Sequence, residues 1–349
     1  MRYGAVMILL DLNIEELEEL LASYDCRRFR ALQLYKWLAS GCGFSEMSDL
    51  PKSLRDKLSC DHIAQPIKIS ESIKSKDGSV KFLYELCDGN IIEGVFMPHD
   101  YGNSLCVSTQ VGCRMGCEFC ASGIGGLVRN LTAGEILGQV VSVNKFFGGN
   151  LSDRKITNIV LMGSGEPLDN YDNTVKFIET VSAPYGINIG QRSVSLSTCG
   201  IVDKMRELAD LQLGVTLSVS LHATLDEYRR KLMPIANKYS VTDVVSAARY
   251  YFKKTGRRVV FEYSMVKGVN MNFADVRRLA EITKGMSAHV NLIMLNKVDG
   301  KNIAGCTKQE GERFCMKLRE LGVSATVRRS MGSDIAGACG QLRRNRIKV

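Results

Sequence analysis

Cys113-Arg-Met-Gly-Cys117-Glu-Phe-Cys120 is the stretch of this 349-residue chain whose residue types and spacing bear most directly on chemistry. Its three cysteines, at C-x3-C-x2-C, sit in a glycine-rich run from Gly112 to Gly126. Three thiolates that close together, with glycines permitting a tight wrap, can ligate three irons of a cubane [4Fe–4S] cluster. The fourth iron then has no protein ligand from the motif and stays open to a substrate or cofactor. Zinc is the rival metal, but structural zinc takes four closed ligands, and no fourth Cys or His follows nearby. Three unrelated buried cysteines are the bland reading, and such crowding makes it the weaker one.

Such a loop needs a scaffold. At 45% hydrophobic and 24% charged residues, the composition is that of an ordinary globular protein. The length suffices for one large core and a smaller appendage. A formal net charge of +9 suits a polyanionic partner, or a generic solvated basic surface. Met1 to Leu10 is short and runs straight into Asp11, unlike a signal peptide, and no apolar run reaches membrane-spanning length. Twelve cysteines in such a chain point to a reducing cytoplasm, with the cysteines serving metal or catalysis.

Apolar stripes place helices between residues 11 and about 60: Ile14, Leu17, Leu20 and Leu21, then Phe29, Leu32, Leu34, Trp37 and Leu38, with a third short helix after Pro51. Arg27, Arg28, Arg30 and Lys36 make this region basic, either a nucleic-acid contact or a solvated face. From Ile67 to Pro98 the pattern becomes strand-like. Val80–Leu86 and Ile91–Met97 flank the turn Asp88-Gly89-Asn90, and Glu93 reads as the outward member of an alternating strand. Strands then recur at Leu105–Thr109, Ile156–Met162, Ser193–Ser197, Val215–Leu221, Arg258–Val266 and Val290–Leu295. Helical stretches separate them, two opened by the capping boxes Thr132-x-x-Glu135 and Thr307-x-x-Glu310. Six βα units argue for parallel strands and a partial α/β barrel, since a full eight-stranded barrel needs roughly 250 residues. The expected organisation is an accessory helical domain over 1–62, a β-hairpin extension over 63–98 and a (β/α)6 core over 99–349. Sites belong at the carboxyl ends of such strands. The chain puts the cysteine loop, Gly163-Ser-Gly-Glu166-Pro167, Ser197-Thr-Cys-Gly200, Ser220-Leu-His222 and Asn296 there.

The cysteine loop, with Phe119 before its last cysteine, resembles the signature of the radical S-adenosylmethionine (SAM) superfamily. Longer segments narrow the likeness. Cys106-Val-Ser-Thr-Gln-Val-Gly-Cys113, Gly163-Ser-Gly-Glu-Pro-Leu, Ser220-Leu-His-Ala, Lys231-Leu-Met-Pro-Ile and Gly332-Ser-Asp-Ile-Ala-Gly-Ala-Cys339 resemble the RlmN/Cfr family of radical-SAM RNA adenine methyltransferases. The likeness spans about Glu93 to Leu342 and implies a TIM-like partial barrel. One branch of the family methylates adenine carbon 2, the other carbon 8 with ribosomal antibiotic resistance. Pro167 and Val327-Arg-Arg resemble the carbon-2 branch. Ser164 and Ala336-Gly337 depart from the usual pattern and touch local loop packing.

The resemblance implies two cofactors, a [4Fe–4S] cluster on Cys113, Cys117 and Cys120, and SAM. It implies SAM contacts at Gly165, Glu166, Ser197, Ser220, Leu221, His222 and Asn296, with the Glu166 carboxylate meeting the amino group. Cys339 becomes the methyl carrier, Cys106 its disulfide partner, and Glu93 the base that deprotonates the substrate adduct, against its outward-facing reading. The implied partners are 23S rRNA, tRNA, and a one-electron reductant such as flavodoxin or ferredoxin, with no membrane and a monomeric state. Adenine carbon 2 has no acidic proton, so polar transfer from SAM lacks a nucleophile, and a cysteine carrier answers that need. Because carbon 2 faces the minor-groove edge of a stacked pair, the base must lie outside a helix. Arg328, Arg329, Arg343, Arg344, Arg346 and Lys348 bracket Cys339 on a glycine-rich, mobile tail and could grip phosphates. The alternatives are another radical-SAM enzyme, such as an activase or mutase, and an iron–sulfur RNA-binding protein without catalysis.

Overall fold

The structure is a computed structural model that describes residues 2–3, 6–296 and 303–342. Ten strands form its main sheet and lie side by side in chain order. They are β1 (Ile67–Lys74), β2 (Val80–Leu86), β3 (Ile91–Met97), β4 (Ser104–Cys106), β5 (Asn158–Leu161), β6 (Val194–Thr198), β7 (Thr216–Ser220), β8 (Val259–Met265), β9 (Ala288–Met294) and β10 (Ala325–Val327). The pairs from β1 to β4 are antiparallel; those from β4 to β10 are parallel. All six expected parallel strands are present, and β10 adds one more. The hairpin extension is therefore a continuation of the core sheet.

Alternation within the parallel strands explains both the core and the site. Leu196, Leu217, Val219, Phe261, Tyr263, Val290 and Leu292 are fully buried and pack in the main core. The intervening residues Ser195, Ser218, Glu262 and Asn291 face the concave side, where they line a cavity. Period-two side-chain direction gives each strand one apolar and one polar face. A barrel lumen filled with branched apolar residues would be a packed core; this one is open, with Ser195, Ser218, Glu262 and Asn291 set among apolar residues such as Val160, Val260 and Ile293.

Three N-terminal helices, α1 (Ile14–Ala22), α2 (Phe29–Ala39) and α3 (Lys52–Asp61), bury Leu17, Leu21, Leu34, Leu38, Leu54 and Leu58. Phe29 and Leu32, members of the second apolar stripe, are exposed. The basic charge here is partly engaged: Arg28 pairs with Glu18, and Arg30 donates to Gln33 and Asp49. Asp11 accepts the Gly134 N–H at 2.7 Å, at the start of α4 (Ala133–Phe146), and Lys176 pairs with Glu16. These contacts fix the helical region against the barrel. The expected capping boxes at Thr132 and Thr307 both form, starting α4 and a later helix, Lys308–Glu320. Among the described residues, no helix is long and apolar enough to cross a membrane.

Candidate active site

A two-stranded ribbon, Gln110–Gly112 against Leu127–Asn130, clamps the cysteine loop just past β4. Gly112 holds φ +77°, and a Cβ there would lie 2.1 Å from the Gly126 carbonyl, so no other residue fits the neck. Cys113, Cys117 and Cys120 all face one cavity of about 930 Å³, floored by Gly163, Gly165 and Glu166. Among the described residues no three His, Cys, Asp or Glu side chains close on a single metal ion; the thiols share a wider space. Burial pushes the Cys113 thiol up to about 12 and raises Cys117 as well. These two thiols therefore keep their protons until a metal displaces them on binding.

Gly165 carries φ +108°, and a Cβ on it would meet Gln110 Cβ at 2.7 Å. Glycine here lets the turn pack directly on Thr109 and Gln110. Glu166, fully buried, accepts the Cys199 N–H at 2.7 Å and the Leu168 N–H at 3.0 Å through its two carboxylate oxygens. Burial raises its pKa, and these donors oppose the rise. Ser197, Ser220, His222 and Asn296 line the same cavity. His222 accepts the Ser264 N–H on Nδ1 at 3.0 Å, which leaves the ring proton on Nε2. Burial, then the nearby Arg229, push its pKa down to about 3, so the ring is neutral. Phe119 packs edge-on against it, with centroids 4.5 Å apart. Leu221 stands apart from this set. Its side chain lies in the core and its carbonyl accepts from Arg229. Arg229, itself fully buried, also donates to Cys199 O at 2.7 Å and so ties the ends of β6 and β7 behind the cysteine loop.

Cys339 sits on a tail that is docked, contrary to its glycine-rich reading. Gly340 O accepts from Ala121 N at 2.7 Å, Leu342 O from the Ser122 hydroxyl at 2.9 Å, and Cys339 O from Asn296 Nδ2 at 3.2 Å. A second cavity, of about 1580 Å³, lies on the concave side of the sheet. Cys106 and Cys339 both line it, and Cys339 also lines the first. Cys106 faces this second space and not the one holding the three thiols, because its side chain packs against Val95 and Leu342. Burial, then the neighbouring Cys339, push its pKa up to about 12. All twelve cysteines carry free thiols, so the Cys106–Cys339 disulfide implied by the resemblance is absent from this state.

Two charged residues depart from their sequence-based readings. Glu93 is buried, not outward, because β3 lies between two strands and both of its faces are covered; Lys81 pairs with it at 2.9 Å. Lys81 also donates to Ala336 O at 3.1 Å, which brings the pair beneath the tail. Arg328 turns inward and lines both cavities, 3.8 Å from Glu262. It does not reach outward for phosphate. Arg343, Arg344, Arg346 and Lys348 lie outside the described residues. Sequence reasoning missed Glu262, Met162 and Cys199. A carboxylate inside Val259-Val-Phe-Glu-Tyr-Ser-Met265 was the available signal for the first of these.

The sequence matches the radical SAM superfamily over residues 107–280 and the ribosomal RNA large subunit methyltransferase N-terminal domain over 7–63. A Clostridium perfringens (strain SM101 / Type A) protein named "Probable dual-specificity RNA methyltransferase RlmN" is 52% identical over 343 residues, covering 97% of either chain. A Clostridium botulinum (strain Alaska E43 / Type E3) protein of the same name is 50% identical, over 98% of this chain and 97% of that one. The chain belongs to the RlmN family of radical-SAM enzymes. A crystal structure of a radical SAM methyltransferase from Sphaerobacter thermophilus superimposes with a TM-score of 0.93 at 40% identity, over 97% of this chain and all of that one. Membership implies a [4Fe–4S] cluster and SAM, and the residues present fit both. Three thiols, the donor set such a cluster takes, face one cavity, and Gly163, Gly165, Glu166, Ser197 and Ser220 line the space beside them.

Proposed function

We propose that this chain methylates carbon 2 of an adenosine in 23S rRNA, and the adenosine next to the anticodon in some tRNAs, using two SAM per turnover. One observation carries the reading: Cys339 is shared between the cavity of the three thiols and the cavity of Cys106. An activase or mutase with the same loop has no use for that arrangement. Nor does a protein that holds a cluster for structure alone. The carbon-8 alternative is not favoured.

In this reading Cys113, Cys117 and Cys120 hold the cluster, and Gly165, Glu166, Ser197, Ser220, His222 and Asn296 surround SAM. When bound, these groups supply a 5′-deoxyadenosyl radical. Cys339 carries a methyl group as a thioether, gives up one hydrogen atom from it, and bonds through that carbon to the adenine ring. Glu93 takes the ring proton, and Lys81, 2.9 Å away, fixes its carboxylate in place. Once the adduct has given one electron to the one-electron redox partner, the Cys106 thiolate attacks the Cys339 sulfur; the carbon–sulfur bond breaks, the released carbon takes up a proton to become the methyl group, and a transient disulfide forms, which needs both sulfurs in reach. The neutral His222 ring and the apolar lid of Phe119 keep water from the radical. The division into an accessory region 1–62, an extension 63–98 and a catalytic core 99–349 belongs to the same proposal. So do a flavodoxin or ferredoxin as reductant, a monomeric state and a cytoplasmic location.

Replacing the attacking sulfur tests this. Cys106→Ala should still carry S-methyl-Cys339 and still cleave SAM, but it should stall as RNA linked through a methylene bridge to Cys339. A denaturing gel should show a nuclease-sensitive, slower band that is missing from Cys106→Ala/Cys339→Ala. A folded Cys106→Ala enzyme that turns over normally would end the two-cysteine reading.

A further inference from the structure

The chain enters β4 through a corner, Pro98-His-Asp-Tyr-Gly102, closed by the Gly102 N–H donating to His99 O at 3.0 Å. Tyr101 projects from it with 78% of its surface exposed, the most of any large apolar side chain among the described residues. It does not fold back onto the sheet. It lies flat on the His99 imidazole, with centroids 4.8 Å apart and planes 7° from parallel. Both rings line the cavity that holds Cys106 and Cys339, and Arg328 and the exposed Arg329 line it beside them. Burial first, and then Arg328 and Arg329, push the His99 pKa down, with Asp100 opposing. The ring at the mouth is therefore neutral at neutral pH and offers a π face.

We infer that the His99–Tyr101 stack and Arg329 form a nucleotide-docking platform: a base flanking the target adenosine stacks on Tyr101, and Arg329 meets an adjoining phosphate. The inference rests on the RNA reading above and adds the route of entry, between β4 and β10 on the concave side. Three features support RNA here. An exposed ring with a free face is a stacking surface for any base, and a guanidinium beside it matches phosphate. The space behind the platform leads to both sulfurs that the reaction needs. Arg328, 3.8 Å from Glu262, is committed to the interior, so among the described residues lining this cavity Arg329 is the exposed cation. Stacking does not read sequence, which suits an enzyme whose RNA substrates differ around the target base.

The test uses reconstituted full-length enzyme and protein-free 23S rRNA from cells lacking this methyltransferase. Tyr101→Ala and Arg329→Gln should each raise KM for RNA roughly tenfold, with kcat changed much less. Tyr101→Trp should keep KM near the wild-type value, because any flat ring restores the surface. S-methyl-Cys339 content and iron content, which require no RNA, should match wild type in every variant. A double variant whose KM stays within about twofold of wild type overturns the platform. Loss of S-methyl-Cys339 in Tyr101→Ala overturns it too, since the residue would then serve the site and not the substrate. If the wild-type enzyme leaves this RNA unmethylated, the failure lies with the proposed function instead.

Discussion

A carboxylate inside a sheet survives only beside a counter-charge, and Glu93 has Lys81 at 2.9 Å with both side chains buried. Removing one partner of such a pair strands the other, at a cost of about 3–5 kcal/mol. Lys81→Met should therefore lower the unfolding free energy by that amount, seen as a lower denaturant midpoint, and Lys81→Met/Glu93→Leu should recover most of it while remaining inactive on RNA. An unchanged midpoint in the single variant would mean that the pair is not closed in solution. Cys106 gives a second prediction. Its pKa lies near 12, so the thiol dominates at neutral pH and the thiolate fraction grows tenfold per pH unit. Alkylation of Cys339 removes the neighbouring charge that helps push it up, which lowers the value but keeps the direction. Rapid-quench measurement of adduct decay should show a rate rising about tenfold per unit from pH 7 to 8. A flat profile would remove the free Cys106 thiolate from the step. The cysteine triad was legible because spacing alone carries it. Glu93 was misread because strand alternation assumes one wet face, and Arg328 because a basic run near the tail looks like phosphate contact until Glu262 is known to lie beneath it.

At the scale of elements, five of the six expected parallel strands end in a segment that lines the site, and β8 contributes Glu262 and Ser264 from within the strand, in keeping with the placement of binding loops at carboxyl ends of strands. Six of those strands were legible as apolar runs between capped helices. The seventh, Ala325–Val327, was not, because three residues give no periodicity to read. The union of the hairpin with the core sheet was likewise hidden, since pairing between Val95 and Cys106 leaves no local mark. The Gly163–Glu166 turn after β5 is the element most exposed to test. Alanine at Gly165 would need a backbone angle that L-residues disfavour by roughly 1–2 kcal/mol, and its Cβ would press on Gln110, whose side chain holds the Glu166 N–H at 2.9 Å. Gly165→Ala should weaken SAM binding at least tenfold by isothermal titration and lower stability by 1–2 kcal/mol, with iron content kept. Normal SAM affinity in this variant would show that the turn does not form the SAM floor.

The whole molecule closes around contacts between the two ends of its catalytic region. Ala121 and Ser122, on the cysteine loop, donate to Gly340 and Leu342, and Gly340 sits so close that a Cβ would lie 2.9 Å from Phe119 O. Asp334 accepts from Ser75 at 2.6 Å, and Gly332 N donates to Asp77 at 2.8 Å, so the hairpin extension holds the same tail from its other side. None of this was legible in the sequence: a tail rich in glycine reads as mobile unless its distant donors are known. The arrangement couples the metal to the methyl carrier. With the cluster bound, three thiolate bonds fix the loop and the donors at Ala121 and Ser122 stay in register. Without it, the loop keeps its glycine neck, the Glu118 N–H to Leu232 O bond and the Arg114–Asp169 pair but loses the three thiolate bonds, so the floor beneath Cys339 loosens while the hairpin contacts remain. Amide exchange compared between reconstituted and iron-free protein should therefore show faster exchange at 113–126 and 338–342 in the iron-free form, by about tenfold for each 1.4 kcal/mol of lost protection. Residues 331–335, held by Ser75 and Asp77, should change less. Equal exchange across 338–342 in the two forms would mean that the tail docks independently of the cluster.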